Sequence, residues 1–303
     1  MKILLLGATG QLGRCLTRAL APLGQLIALD RQQADFSRPQ QLAGSIKALN
    51  PDVIVNAAAY TAVDRAEAEP DLATTINATA VDALADAARE ARALLVHYST
   101  DYVFDGTQTT PYVETDPPAP LNVYGQSKLD GERAIAASGC DYLILRTSWV
   151  YSDQGSNFVL RILALAEECH QQLRPELRVV DDQVGCPTFA PDLAMATAQL
   201  IDTAQKERLL DTFSSQLYHL CGQGHTSWYE FARHIVVEAQ SCGLLSSIPR
   251  LKPITSKEYP QAAQRPRTAI LDTRKIRQRG ICLPDWRDSS RNLVRSLARS
   301  RGL

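Results

Sequence analysis

The chain has no surplus of either charge: 32 Lys and Arg face 33 Asp and Glu, a formal net charge of −1 over 303 residues. No long basic run breaks that balance, which argues against a surface built to follow a phosphodiester backbone, so no nucleic acid partner is expected. Long apolar runs are missing too. Charges or turn residues interrupt every candidate well short of a bilayer span, so no membrane partner is expected either. The apolar opening MKILLLGATG runs into a glycine turn rather than a small-residue cleavage site, and reads as a first strand rather than an export signal. The seven cysteines (Cys15, Cys140, Cys169, Cys186, Cys221, Cys242 and Cys282) are odd in number, scattered, and include no Cys-x-x-Cys pair. That pattern suits free thiols in a reducing cytoplasm better than a disulfide framework or a zinc site, and a cytoplasmic protein is the expectation. Internal repeats and low-complexity linkers are also absent.

What is present is a regular beat. Short runs rich in Leu, Ile and Val (KILLL, QLIALD, DVIVNAA, LLVHYS, YLILRT) alternate with helix-length stretches at 11–22, 39–49, 73–91 and 124–138. Strands apolar throughout and separated by helices predict an α/β fold with a doubly wound parallel sheet covered on both faces. Beyond Trp149 the beat fades into helix-like stretches at 158–169 and 192–203 and a strand-like YHLCG at Tyr218. Tryptophans, prolines and arginines then gather between Trp228 and Trp286. The expected division is a dinucleotide-binding domain at 1–150, to which part of 180–222 returns, and a smaller mixed substrate-binding region over 151–303.

Directly after the first strand, Gly7-Ala8-Thr9-Gly10-Gln11-Leu12-Gly13 opens the first helix. Glycines permit the tight turn and the close approach of backbone to a pyrophosphate, whose charge meets free amides at the helix N-terminus. The spacing is G-x-x-G-x-x-G rather than G-x-G-x-x-G. A glycine trio alone marks any turn, but a strand before and a helix after supply the context of a Rossmann-like nucleotide site. The second strand ends at Asp30, where a carboxylate can accept from the adenine ribose hydroxyls of NADH. The neighbouring Arg31 could pair with the extra phosphate of NADPH.

Tyr124-Gly125-Gln126-Ser127-Lys128 puts a phenol and an ammonium four residues apart, hence on one face of a helix. A free tyrosine, with a pKa of about 10, is poorly matched to proton transfer near neutrality, and a nearby cation would lower it. Such pairs also decorate solvent faces by chance. Here the pair follows a strand ending Ser99-Thr100-Asp101, and catalytic groups of open parallel sheets gather at the carboxyl ends of strands. Thr100 could bond the same substrate oxygen.

With G-x-x-G-x-x-G, S-T-D and Y-x-x-x-K in this order, the sequence resembles the extended short-chain dehydrogenase/reductases that modify nucleotide sugars. Within them it is similar to the dTDP-4-dehydrorhamnose reductase family, on the segments NAAAYTAVDRAE, YSTDYVFDG, APLNVYGQSKLDGE, RTSWVY, QVGCPT and RPRTAILDT, which together span nearly the whole chain. The resemblance implies hydride transfer from NADH or NADPH to carbon 4 of dTDP-4-dehydro-L-rhamnose. Tyr124 would act as proton donor, Lys128 as its tuner and as holder of the nicotinamide ribose, and Thr100 as the group polarising the carbonyl. It also implies cofactor contacts at Gly10, Gln11, Leu12, Asp30, Asp35, Phe36, Ala59, Tyr60, Thr61, Tyr98, Tyr124 and Lys128, and sugar contacts at Thr100, Asp101 and Trp149. Arg265 and Arg267 could grip the nucleotide's diphosphate. Each has a plainer reading: Phe36 and Trp149 as core aromatics, Asp101 as a cap, the arginines as solvated surface.

One departure concerns metal. Some members of this family are described as Mg²⁺-dependent, with acidic residues near the start of the first helix. Here that helix begins Leu12-Gly13-Arg14-Cys15, a cation and a thiol where a hard ion wants oxygen, so no magnesium is expected there. The enzymatic rivals are a nucleotide-sugar epimerase and a 4,6-dehydratase. The second needs an acid-base pair beside the threonine, where this chain has Asp101-Tyr102 and thus lacks one carboxyl group. A non-catalytic subunit resembling the regulatory partner of methionine adenosyltransferase would have no need of both Tyr124 and Lys128. Oligomeric state is left open, a homodimer among the options.

Overall fold

The computed structural model describes residues 1–171 and 176–302. Six parallel strands form the central sheet: β1 (Lys2–Leu6), β2 (Gln25–Leu29), β3 (Val53–Asn56), β4 (Leu94–Thr100), β5 (Asp141–Thr147) and β6 (Gln216–His219), in the order β2-β1-β3-β4-β5-β6. The order reverses at β1, so a crevice opens at the carboxyl ends of β1 and β3, where such sheets bind ligands. β3 and β4 are buried along their whole length, as the unbroken apolar runs require.

Side chains alternate between the two faces of each strand, and each face has its own core. Ile3, Leu5, Val53, Val55, Leu94 and Val96 pack under α1 (Gln11–Leu20) and α6 (Ala190–Leu209). Leu4, Leu6, Ile54 and Leu95 pack under α2 (Pro39–Leu49), α3 (Ala80–Ala91) and Ile135 of α4 (Val123–Ala137). The stretch read as one helix over 73–91 is composite. An α-turn at Pro70–Thr74 and a π-helical turn at Thr75–Thr79 lead into α3. A third core lies beyond the sheet, where α5 (Phe158–His170), α7 (Trp228–Ser241) and α8 (Trp286–Ser300) close around Phe231, Trp286 and Leu293. Thus β6 comes from late in the chain yet extends the sheet by pairing with β5, while the helices around it in sequence serve different cores.

Candidate active site

The glycine turn is built by close approach. Gly7 sits at φ +77°, and a Cβ there would lie 2.7 Å from the Ala58 amide nitrogen. A Cβ on Gly13 would lie 2.1 Å from the Gly7 carbonyl oxygen, so the first turn of α1 rests directly on the loop. A Cβ on Gly10 would lie 3.4 Å from the Gly7 carbonyl oxygen, and the residue lies exposed in front of α1. No acidic residue occupies that first turn, and its leading amides, at Gln11, Leu12 and Gly13, are left without helical acceptors by helix geometry. A diphosphate fits this cradle. The Gln11 side chain is spent elsewhere: its Oε1 accepts from Ser152 Oγ at 3.1 Å and Asn157 Nδ2 at 2.9 Å, tying the turn to the loop before α5. Arg14 donates to the Thr9 carbonyl and to Gln154, so a guanidinium stands where a hard metal ion would need oxygen.

Beside the turn, Asp30, Arg31 and Asp35 line a cleft of about 680 Å³ with Thr9 and Arg38. Asp30 spends Oδ1 on the amides of Gln32 and Gln33. Asp35 accepts from the amide and hydroxyl of Ser37, bonds that hold its carboxyl below the usual range. The Phe36 ring is buried in the core under α2 and α3 and does not line the cleft. Ala59, Tyr60 and Thr61 lie in the loop after β3. That loop is clamped by Asn77 from the π-helical turn, whose Oδ1 takes the Tyr60 amide (2.9 Å) and whose Nδ2 donates to the Tyr60 carbonyl and to Ser127 Oγ. Sequence reasoning missed Asn77. A signal existed in a poor helix former within an alanine-rich helical stretch.

The proton-transfer candidates converge at the end of β4. Asn122 caps α4 by accepting from the Gly125 amide at 2.7 Å, and a Cβ on Gly125 would lie 2.2 Å from the Tyr102 carbonyl oxygen. This contact seats the first turn of α4 against the Asp101–Val103 turn, with the Tyr102 ring edge-on to Tyr124 at 5.6 Å. Burial pushes the Tyr124 phenol up to about 12, opposed by the neighbouring Thr100 hydroxyl and reinforced by the Asp101 charge. Lys128, expected to lower the phenol, is itself engaged by its neighbours. Its Nζ donates to the Tyr98 carbonyl at 2.6 Å and lies 3.1 Å from His97 Nε2, and burial brings it down to about 8 against the raising effect of Glu132. The Tyr98 phenol turns to the other face and bonds Thr197 at 2.6 Å.

The residues expected at the sugar divide. Thr100 stands beside Tyr124. Asp101 faces inward, 2% exposed, accepting from Ser148 Oγ at 2.8 Å and from Thr100 Oγ1 at 3.1 Å. Its carboxylate therefore holds Thr100 instead of opening to the cleft. Burial raises it to about 6 from 3.8 despite those two bonds. A carboxyl group raised on folding adds stability below its unfolded pKa and loses it as pH rises through the folded one. Relative to Asp101→Asn, the native protein should lose stability between pH 3.8 and about 6 and then level off, measured by urea denaturation. A flat difference would refute this.

Trp149, half-buried, has φ +45° and stacks on Trp228 with centroids 3.3 Å apart and planes 5° from parallel. A non-glycine residue in the left-handed region is strained and calls for a strong local constraint. The Trp228 ring and Gly185, where a Cβ would lie 2.4 Å from the Trp149 ring, provide it. Arg265 is already engaged: it grips Asp64 through two nitrogens at 2.9 and 2.7 Å and bonds Tyr102. Arg267 is exposed, beside Gly106, on a segment whose backbone bridges to Val184.

Comparison with known proteins agrees with this architecture. The family described as the RmlD substrate binding domain matches residues 1–299. A dTDP-4-dehydrorhamnose reductase of Burkholderia thailandensis is 46% identical over 300 residues, covering 98% of this chain and 99% of the relative. Among solved structures, a dTDP-4-dehydrorhamnose reductase from Clostridium acetobutylicum superposes with a TM-score of 0.87 at 35% identity, covering 98% and 99% of the two chains. One from Bacillus anthracis, in complex with NADP, gives 0.84 at 34% identity, covering 96% and 98%. The match runs through the sheet, the glycine cradle and the Tyr124 helix together, and the chain belongs to the dTDP-4-dehydrorhamnose reductase family of NAD(P)H-dependent oxidoreductases.

Proposed function

We propose that the protein reduces carbon 4 of dTDP-4-dehydro-L-rhamnose to give dTDP-L-rhamnose, with NADH or NADPH as donor. The observation carrying this reading is the Tyr124 phenol bonded by Thr100 at the carboxyl end of β4, one helical turn from the buried Lys128. The nicotinamide, when bound, supplies hydride to the carbonyl carbon. Tyr124 is kept protonated by its burial and can give that proton to the oxygen as charge develops there. Thr100, whose one hydroxyl hydrogen is given to Asp101, would turn it to the same oxygen to polarise the carbonyl, and Lys128 in its ammonium form would steady the phenolate that remains. The Gly7, Gly10 and Gly13 cradle takes the diphosphate, and Asp30 the adenine ribose.

Tyr102 stands where a dehydratase would need a carboxyl group, and its hydroxyl bonds Arg265, which disfavours elimination. Arg265 and Arg267 would be the cations that meet the nucleotide's diphosphate. Arg265 would exchange part of its Asp64 pairing for a diphosphate. No helix among the described residues is long and apolar enough to cross a membrane.

The test is to supply dTDP-4-dehydro-L-rhamnose with NADH and with NADPH separately, following absorbance loss and identifying the product. No turnover with either would end the proposal. For the cofactor, Asp30→Ala should weaken NADH more than NADPH, because the ribose hydroxyl that Asp30 accepts from is phosphorylated in NADPH. Equal losses in titrations of the two would remove the ribose contact.

A further inference from the structure

His97 has no part in the chemistry so far, yet it is fully buried and touches the amine of Lys128. Its hydrogen bonds form a chain whose polarity can be worked out from one end. The Ala58 backbone N–H can only donate, and it donates to Asn56 Oδ1 at 3.0 Å. The Asn56 carboxamide is thereby oriented, and its Nδ2, a donor, faces His97 Nδ1 at 3.0 Å. Nδ1 is then an acceptor. A neutral imidazole that accepts at Nδ1 carries its hydrogen on Nε2, the atom 3.1 Å from Lys128 Nζ.

An ammonium has three donors and no acceptor, so opposite an N–H it is mismatched, whereas an amine offers a lone pair. The other bond of Nζ, to the Tyr98 carbonyl, can be made by either form. Resting on the reading of Tyr124 and Lys128 as the proton-transfer pair, we propose that His97 is a positioning residue whose Ala58–Asn56 relay aims an N–H at Lys128 and favours its amine form. Burial, then the Lys128 charge, hold His97 well below the usual imidazole range, in keeping with a neutral ring. Opposing the relay is Glu132 on the same helix, whose charge favours the ammonium and which is itself gripped by Arg146 from β5.

This arrangement gives Lys128 a role beyond that of a fixed cation. After Tyr124 has given its proton to the substrate oxygen, the phenol must be restored. Solvent supplies that proton: an O–H bond of water breaks as the phenol O–H re-forms, while in a separate exchange with solvent an Nζ–H bond of the ammonium breaks and the amine left behind accepts from His97. No electrons change hands in this step.

The test uses the full chain and needs no substrate for its first arm. With ¹⁵N-labelled histidine, the wild-type NMR spectrum should contain a His97 ring protonated at Nε2 and bare at Nδ1. With ¹³C-labelled lysine, Lys128 should titrate near 8. Asn56→Asp is close to isosteric and keeps the Ala58 bond, but its carboxylate accepts at both oxygens. It should therefore draw the hydrogen to Nδ1 and turn the Nε2 lone pair toward an ammonium. The Lys128 titration, and with it the alkaline limb of kcat, should move up by about one pH unit, roughly tenfold in proton affinity.

A wild-type ring protonated at Nδ1, or charged, would overturn the proposal, as would a Lys128 titration unmoved in Asn56→Asp. If that variant does not fold, the wild-type tautomer decides alone. Should the sugar nucleotide not be reduced at all, the function proposed above fails while the spectra still decide the relay.

Discussion

Tyr124→Phe should lower kcat by about 10²- to 10⁴-fold, the usual contribution of a positioned general acid, while cofactor affinity stays nearly unchanged. The ring would keep its edge contact with Tyr102 and its place in the first turn of α4, so only the transferable proton is lost. Single-turnover rates and cofactor titration by fluorescence separate the two quantities. Near-native turnover would remove Tyr124 from the chemistry. A parallel fall in cofactor affinity would instead point to a disturbed helix start, since Asn122 and the glycine contact at Gly125 share that turn.

The second large effect concerns what holds that helix to the sheet. Arg146 of β5 and Glu132 of α4 meet as a bidentate pair at 2.8 and 2.6 Å, with side chains only 4% and 5% exposed, and the guanidinium also lies 5.0 Å over the Phe104 ring. Two charges out of water contribute little net stability, but removing one leaves the other uncompensated, a loss of about 3–5 kcal/mol. Glu132→Gln should therefore lower the urea midpoint steeply. Replacing both together, Arg146→Met with Glu132→Leu, should recover most of that loss, because the remaining cost is ordinary packing. If the double variant were as unstable as the single one, the pair would be contributing specific geometry rather than merely avoiding a stranded charge.

The two predictions draw on different parts of what the sequence reveals. The strand–turn–helix around Gly7, Gly10 and Gly13 and the Tyr124–Lys128 spacing were legible because they are local: chain neighbours, periodicity and turn chemistry define them. The parallel sheet was legible for the same reason, through continuous apolar runs. The supporting contacts were not. Asn77 reaches Ser127 across 50 residues, Arg265 reaches Asp64 across 201, and Asn56 reaches His97 across 41. A single polar residue inside LLVHYST carries no mark of the strand beside it. Nor did S-T-D reveal that Asp101 turns inward to Ser148, since that direction is decided by the 186–188 and 146–148 segments folding over it. Nor did the spacing of Tyr124 and Lys128 reveal how each is charged: i,i+4 puts two groups on one face, but burial and competing partners decide the charge each carries.

The stacked indoles of Trp149 and Trp228 have an optical consequence. The chain contains three tryptophans, and two of them lie with ring centroids 3.3 Å apart, one after β5 and the other heading α7. Transition dipoles that close couple strongly, and the coupling falls away steeply with distance and tilt. The join between the sheet and the α5–α7–α8 core thus carries a built-in spectroscopic ruler, and near-ultraviolet circular dichroism can follow any relative movement there without a label. The third indole, Trp286, is buried in the third core and provides an internal reference.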